Sequence, residues 1–366
     1  MRIAFVLPRS SQRPVGALKV VYEHADRLAG RGHQATLLHP HPHSAGQTVT
    51  GADPHPWYRF RNRDVRSIVV PVLAEKSIPG HFDVVVATSW QVISAVHGLP
   101  ARFGRKVYFL QDHESYLLGN RPIREAMART FTVPWPLIVN SEPVQQLVAT
   151  VAARDCHRIP CAIDTAAFRL DIPTDSTERQ LIGFPARPEH AKRTEDAVTA
   201  VDLVRSRLDP GRQMDVWCFG SYPRAGLPGW ITHYSTPDDR ELRHLYNRTA
   251  VFIVPSLHEG FGLPGAEAMA CGAALVSTRN GGVDAYATHG ESALLCPVKN
   301  PEALAATTIK LLTNPALRNR LARAGASRAA SQRPAHATEA FEAVLCQAAS
   351  HTGNHDQLPG GYVDCP

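Results

Sequence analysis

The sequence predicts an α/β protein built on two doubly wound parallel sheets, and three observations predict it. Short runs rich in Val, Ile, Leu and Phe alternate with stretches of helical period, the pattern of βαβ units. That series occurs twice, on either side of a polar run at 171–179. With 366 residues, 44% of them hydrophobic, the chain exceeds what one core usually serves and can bury two.

The first series opens at 2–7, an apolar run too short for a signal-peptide core that reads as a strand. A helix is expected at 16–30, with Leu18, Val21, Ala25, Leu28 and Ala29 on one face and Gly30 and Gly32 ending it. The turn before it, Pro14-Val15-Gly16-Ala17, carries one glycine and is not the G-x-G-x-x-G of a dinucleotide site. Strands are expected at 34–39, 82–88, 106–111 and 136–140.

Two stretches interrupt that series. In His39-Pro40-His41-Pro42-His43 the alternating prolines force an extended, hydrated surface segment rather than a set of metal ligands. Trp57-Tyr58-Arg59-Phe60-Arg61-Asn62-Arg63 fits single-stranded nucleic acid, an anionic membrane or a phosphorylated acceptor. It equally fits an amphipathic loop that packs Trp57 and Phe60 and leaves its arginines wet. The strand at 106–111 ends in Gln111-Asp112-His113-Glu114, where a doubly wound sheet places its ligand crevice. A carboxylate there could orient a ligand hydroxyl, or Asp112 and Glu114 could cap a helix.

The second series has strands at 181–184, 214–220, 231–235, 251–254 and 274–278. Helices open at about 194, end near 248, and recur at 304–312, 317–330 and 335–349. After its first strand, Arg187 and Lys192 offer two cations to an anionic ligand, or merely solvate a helix start. Asp238 and Asp239 read as helix caps, and with no D-x-D box elsewhere no metal site is expected.

The chemistry concentrates in Val251 to Pro297. The strand there runs into His258-Glu259-Gly260-Phe261-Gly262-Leu263-Pro264-Gly265-Ala266-Glu267. Gly260 and Gly262 permit a tight turn, Pro264 suits the first turn of a helix, and Gly272 can close it. Free amides at such a helix start attract a phosphate or sugar hydroxyl. Glu259 is expected at the loop mouth and Glu267 in the helix's first turn.

This Glu-x7-Glu segment, with Gly-Phe-Gly-Leu-Pro inside it and Glu267-Ala268-Met269-Ala270-Cys271-Gly272, Gly281-Gly282 and Ser292-Ala293-Leu294-Leu295 after it, resembles the family-4 retaining glycosyltransferases. The resemblance implies a GT-B fold, two Rossmann-like domains facing a central cleft. Residues 1–170 would bind acceptor, 171–334 the nucleotide sugar, 335–350 would return to the first domain, and 351–366 would form a mobile tail.

It further implies metal-independent transfer from a UDP-, GDP- or dTDP-sugar to an acceptor hydroxyl, with retention and no other cofactor. Gly16, Arg187, Lys192, Gly260, Phe261, Gly262, Leu263 and Glu267 would hold the donor, and Glu259, Arg187, Lys192 and Asp112 would act in catalysis. Gly16 serves either close approach to the donor or an ordinary turn. The acceptor, a glycan, lipid-linked or natural-product molecule, would meet His113, Glu114, Trp57 and Arg59. Gln111-Asp112 departs from the family's His-Asp and looks closer to bacterial rhamnosyltransferases, and Lys192-Arg193 departs from its usual Lys-Gly. A sugar-nucleotide epimerase, a sugar-phosphate synthase or a non-catalytic binder of the same fold are the alternatives.

Composition sets the outer limits. No run of about 18 apolar residues exists. Seven cysteines, from Cys156 to Cys365, give no disulfide framework or zinc spacing, and a reducing cytoplasm fits them. A net charge of +6 admits a diphosphate and a peripheral contact with the membrane's inner face; no nucleic-acid partner is expected.

Overall fold

The computed structural model describes residues 1–40, 53–111, 114–209, 211, 214–221, 226–332 and 334–350, apart from the side chains of residues 114 and 115. His41 to His43, Asp112, His113 and the tail from 351 lie outside the described residues. Two compact units form, one from Met1–Cys161 with the segment from Ala335, the other from Ala162–Pro334.

The first unit holds a seven-stranded parallel sheet of β1 (Arg2–Val6), β2 (Gln34–Pro40), β3 (Val65–Val70), β4 (Val84–Ala87), β5 (Arg105–Leu110), β6 (Leu137–Val139) and β7 (His157–Arg158). Their spatial order is β3-β2-β1-β4-β5-β6-β7. The central strand β1 pairs on both sides, Ile3 opposite Ala35 and Val84, and is buried from Ile3 to Val6. That double burial is why the run reads as continuously apolar. Strands β3 and β7 escape the sequence reading because they are edges, largely exposed and carrying Arg66, Ser67, His157 and Arg158.

The histidine–proline segment corrects one expectation. His39 and Pro40 complete β2, and His39 is fully buried rather than on a surface loop. Its ring stands among Tyr22 and His55, and Tyr22 also packs on Trp57, Tyr58 and Phe60. Trp57 Nε1 donates to Ser11 O at 2.8 Å, while Arg59 stays exposed beside Asp53. The aromatic members of the 57–63 run are therefore half-buried around Tyr22, and Arg59 stays wet.

The helix Pro334–Ser350 packs onto this unit through Phe341, whose ring lies 4.3 Å from His24, 5.2 Å from Phe109 and 6.3 Å from Phe5. Glu342 receives Arg31 Nε and pairs with His33 Nε2, each at 2.6 Å. The His33 contact, then Arg31, hold its carboxyl below the usual range.

The second unit holds β8 (Leu181–Pro185), β9 (Asp215–Gly220), β10 (Ile231–Ser235), β11 (Thr249–Val254), β12 (Ala274–Thr278) and β13 (Ala293–Cys296), ordered β10-β9-β8-β11-β12-β13 and all parallel. Helices Thr194–Arg207 and Pro301–Thr313 supply the apolar cover, with Ala197, Val201, Val204, Leu304 and Leu311 buried against the sheet. The polar run at 171–179 packs into this unit. Arg179 is buried, and its guanidinium donates to Pro173, Thr249 and Cys271 carbonyls at 2.8–3.2 Å. Burial pulls its pKa down to about 10. Asn247 Oδ1 accepts from the amides of Asp171 and Ile172. Asp238 caps the helix Asp239–Arg248 through Glu241 N, as its sequence position suggested.

Candidate active site

In the second unit strand order reverses between β8 and β11, so the loops leaving these two strands open at the same point of the sheet's carboxyl edge. Arg187, the turn His190–Lys192 and helix Thr194–Arg207 follow β8; Ser256, Glu259 and helix Leu263–Ala270 follow β11. Leu257 N donates to Ala191 O at 2.7 Å and locks the two loops together.

That lock brings Lys192 to Glu259. Lys192 Nζ lies 3.1 Å from Glu259 Oε2, and Ser256 Oγ donates to Oε1 at 2.7 Å. The Lys192 and Glu259 side chains retain 22% and 16% of their exposure, enough to meet a ligand. Thr194 Oγ1 accepts Arg187 N at 2.8 Å and donates to Arg187 O at 2.6 Å, which fixes that backbone at the helix start. Arg193 adopts φ +50°, a left-handed conformation that favours glycine, and its guanidinium grips Asp196 at 2.7 and 2.9 Å. The family's Lys-Gly pattern thus has a backbone reason here: position 193 turns left-handed.

The loop 260–263 is a donor surface. Gly262, at φ +93°, is the N-cap of the helix Leu263–Ala270, and Pro264 stands in its first turn. Gly260 does not share the positive φ, so one glycine, not two, makes the turn. Among the described residues the amides of Gly260, Phe261, Gly262 and Leu263 have no hydrogen-bond partner. The loop rests on Gly282 and Tyr286. A Cβ at Gly282 would come within 2.7 Å of Glu259 O and Phe261 O, and one at Gly265 within 2.6 Å of Tyr286 Oη.

The two glutamates separate. Glu267 falls in the second turn of its helix rather than the first and is 5% exposed, with Tyr246 Oη 3.5 Å from Oε2. Glu259 stays at the mouth. The surroundings of that mouth are basic: burial, then the charges of Lys192 and Lys299, lower the pKa of His258. Sequence reasoning missed Ser256, His258, Tyr286 and Lys299, although Ser256 and His258 flank the motif itself.

In the first unit Gly16 begins helix Gly16–Gly30, and Gln111 Nε2 donates to Ala17 O at 3.1 Å, tying the end of β5 to that helix start. Glu114 opens helix Glu114–Leu118, while Asp112 and His113 lie outside the described residues. Among the described residues no three His, Cys, Asp or Glu side chains group as metal ligands would, and no helix is long and apolar enough to cross a membrane.

Comparison with known proteins agrees with this fold. The family profile "Glycosyltransferase Family 4" matches residues 15–167, and "Glycosyl transferases group 1" matches 224–328. A D-inositol 3-phosphate glycosyltransferase of Nocardiopsis dassonvillei is 29% identical over 222 residues, 53% of this chain and 52% of that protein. The chain spans about half the length of the curated relatives it matches. Anabaena HepE, solved with UDP and glucose, superposes with a TM-score of 0.74 at 17% identity over 95% of this chain and 100% of its own. WaaG, a glycosyltransferase involved in lipopolysaccharide biosynthesis, gives 0.70 at 17% over 93% and 98%. The fold is GT-B. The curated relatives include three D-inositol 3-phosphate glycosyltransferases, an MMP alpha-(1->4)-mannosyltransferase and a glycogen synthase, so the similarity lies with these rather than with rhamnosyltransferases.

Proposed function

We propose, from a GT-B chain whose two halves match the family 4 and group 1 glycosyltransferases, that this protein moves a sugar from a nucleotide diphosphate to an acceptor hydroxyl with retention. The observation that carries the reading is the Lys192–Glu259 pair beside four unpartnered loop amides. A diphosphate needs cations and N–H donors as charge builds on it, and a sugar needs acceptors and donors for its hydroxyls.

In this reading Arg187 and Lys192 neutralise the diphosphate, the amides of 260–263 and Glu259 hold the sugar, and Glu267 takes the ribose hydroxyls. The bond from the anomeric carbon to phosphate oxygen breaks, the acceptor oxygen bonds to the same face, and its proton passes to the departing phosphate. Asp112, His113, Glu114, Trp57 and Arg59 are the acceptor-side candidates. HepE was solved with UDP and glucose, so UDP-glucose is the first donor to test; the relatives' names make a phosphorylated polyol the first acceptor.

The test is a thermal-shift panel of UDP-, GDP- and dTDP-sugars followed by NMR of the product. A donor at a hundred times its Kd raises stability by about 2.7 kcal/mol. No shift with any donor refutes the reading, and an inverted anomeric centre refutes retention.

A further inference from the structure

The carboxylate of Glu259 is held by two groups of different kinds. Lys192 reaches Oε2 from a flexible stem that stays partly in solvent. Ser256, which reaches Oε1 at 2.7 Å, is 1% exposed, and its carbonyl accepts the buried Thr278 hydroxyl. Glu259 N in turn donates to Asn280 O at 3.0 Å, so the loop beneath the carboxylate is pinned to the end of β12. A lysine ammonium is a mobile point charge that a diphosphate can draw away, whereas a buried hydroxyl on a fixed backbone cannot follow a ligand.

We propose that Ser256 is a positioning residue for Glu259. It fixes the carboxylate through Oε1 so that Lys192 can pass from Oε2 to the donor's diphosphate and leave Oε2, in the same place, to accept from the sugar. This rests on the donor-site reading above. When Lys192 leaves, Ser256 holds the orientation that the ion pair held in the free protein.

The experiment compares Ser256→Ala, Ser256→Cys and Ser256→Thr with wild type, using UDP-glucose first and the other donors of the panel after it. Cysteine is the nearest replacement in shape and keeps only a weak S–H donor. Hydrogen bonds to charged groups are the stronger kind, so Ala and Cys lower kcat roughly ten- to a hundredfold and leave the donor KM within about threefold. Ser256→Thr keeps the hydroxyl and recovers kcat to within about threefold. In a Glu259→Ala background, removing Ser256 costs less than about twofold more, because the group it positions is gone.

A purely structural serine would lower the melting temperature and repeat its full loss of kcat in that background, which overturns the proposal. So does a crystal structure of Ser256→Ala or Ser256→Cys in which Glu259 keeps its place. A wild type that turns over none of the donors counts against the function reading instead, while the crystal comparison still decides the role of Ser256.

Discussion

At the scale of single residues, the two cations divide their work differently from the two glutamates. Arg187 and Lys192 follow one strand and are held by backbone contacts, Thr194 for the first and Leu257 for the turn bearing the second. Preorganised charge matters most where charge develops, so Arg187→Ala and Lys192→Ala each lower turnover on the order of a hundredfold with a smaller change in donor affinity. Steady-state kinetics beside calorimetry checks this, and wild-type turnover in both variants refutes it. Glu267 is a binding group in the same reading. Glu267→Gln weakens nucleoside diphosphate affinity by about tenfold or more, since charge-assisted hydrogen bonds are worth roughly 1.5–3 kcal/mol. Unchanged affinity would show that its carboxylate serves Tyr246 and the core instead.

At the scale of elements, the stretch before β8 behaves as structure. Arg179 closes carbonyls at the ends of two helices, Tyr246 and Cys271 among them, and Gly272, at φ +83°, leaves room for it: a Cβ there would clash with Leu170 and stand 2.7 Å from the guanidinium. Arg179→Met leaves several buried acceptors without donors, each worth about 1–3 kcal/mol, so the second unit melts well below wild type. Differential scanning calorimetry reads the loss; a variant within a degree or two of wild type would mean water replaces the guanidinium. The C-terminal helix is anchored as firmly to the first unit. Phe341→Ala empties the place among Phe5, His24 and Phe109, and a buried Phe→Ala change costs about 3–5 kcal/mol. Urea titration of that unit's transition measures it.

At the scale of the molecule, acid acts unequally on the two units. His24 is wholly buried, and burial first, then Arg27, lowers its pKa to about 3; burial lowers that of His39 to about 3 as well. Both lie in the first unit. Below about pH 6.5 the unfolded chain binds protons that these rings refuse when folded, so stability falls with pH at about 1.4 kcal/mol per unit for each ring until about pH 3. The first unit's transition therefore drops faster than the second's between pH 6.5 and 4. His24→Leu flattens that slope by about half in calorimetric scans, and an unchanged slope would mean that His24 does not carry it.

The sequence by itself determined the α/β class, the central strands and the glycine loop, because these follow from rules that act within a few residues. A strand buried on both faces must be apolar throughout, as β1 and β11 are, and a left-handed helix start asks for a glycine, as at Gly262. Tertiary structure alone decided that His39 is core, that β3 and β7 extend the first sheet, and that Arg179 serves the second unit's core. It also decided that Lys192 meets Glu259, 67 residues away, with Ser256 on the other oxygen. The physical reason is that such contacts depend on strand order. Crossing from β8 to β11 brings together two loops that no local pattern connects, and the ion pair exists only once the sheet has closed over its core.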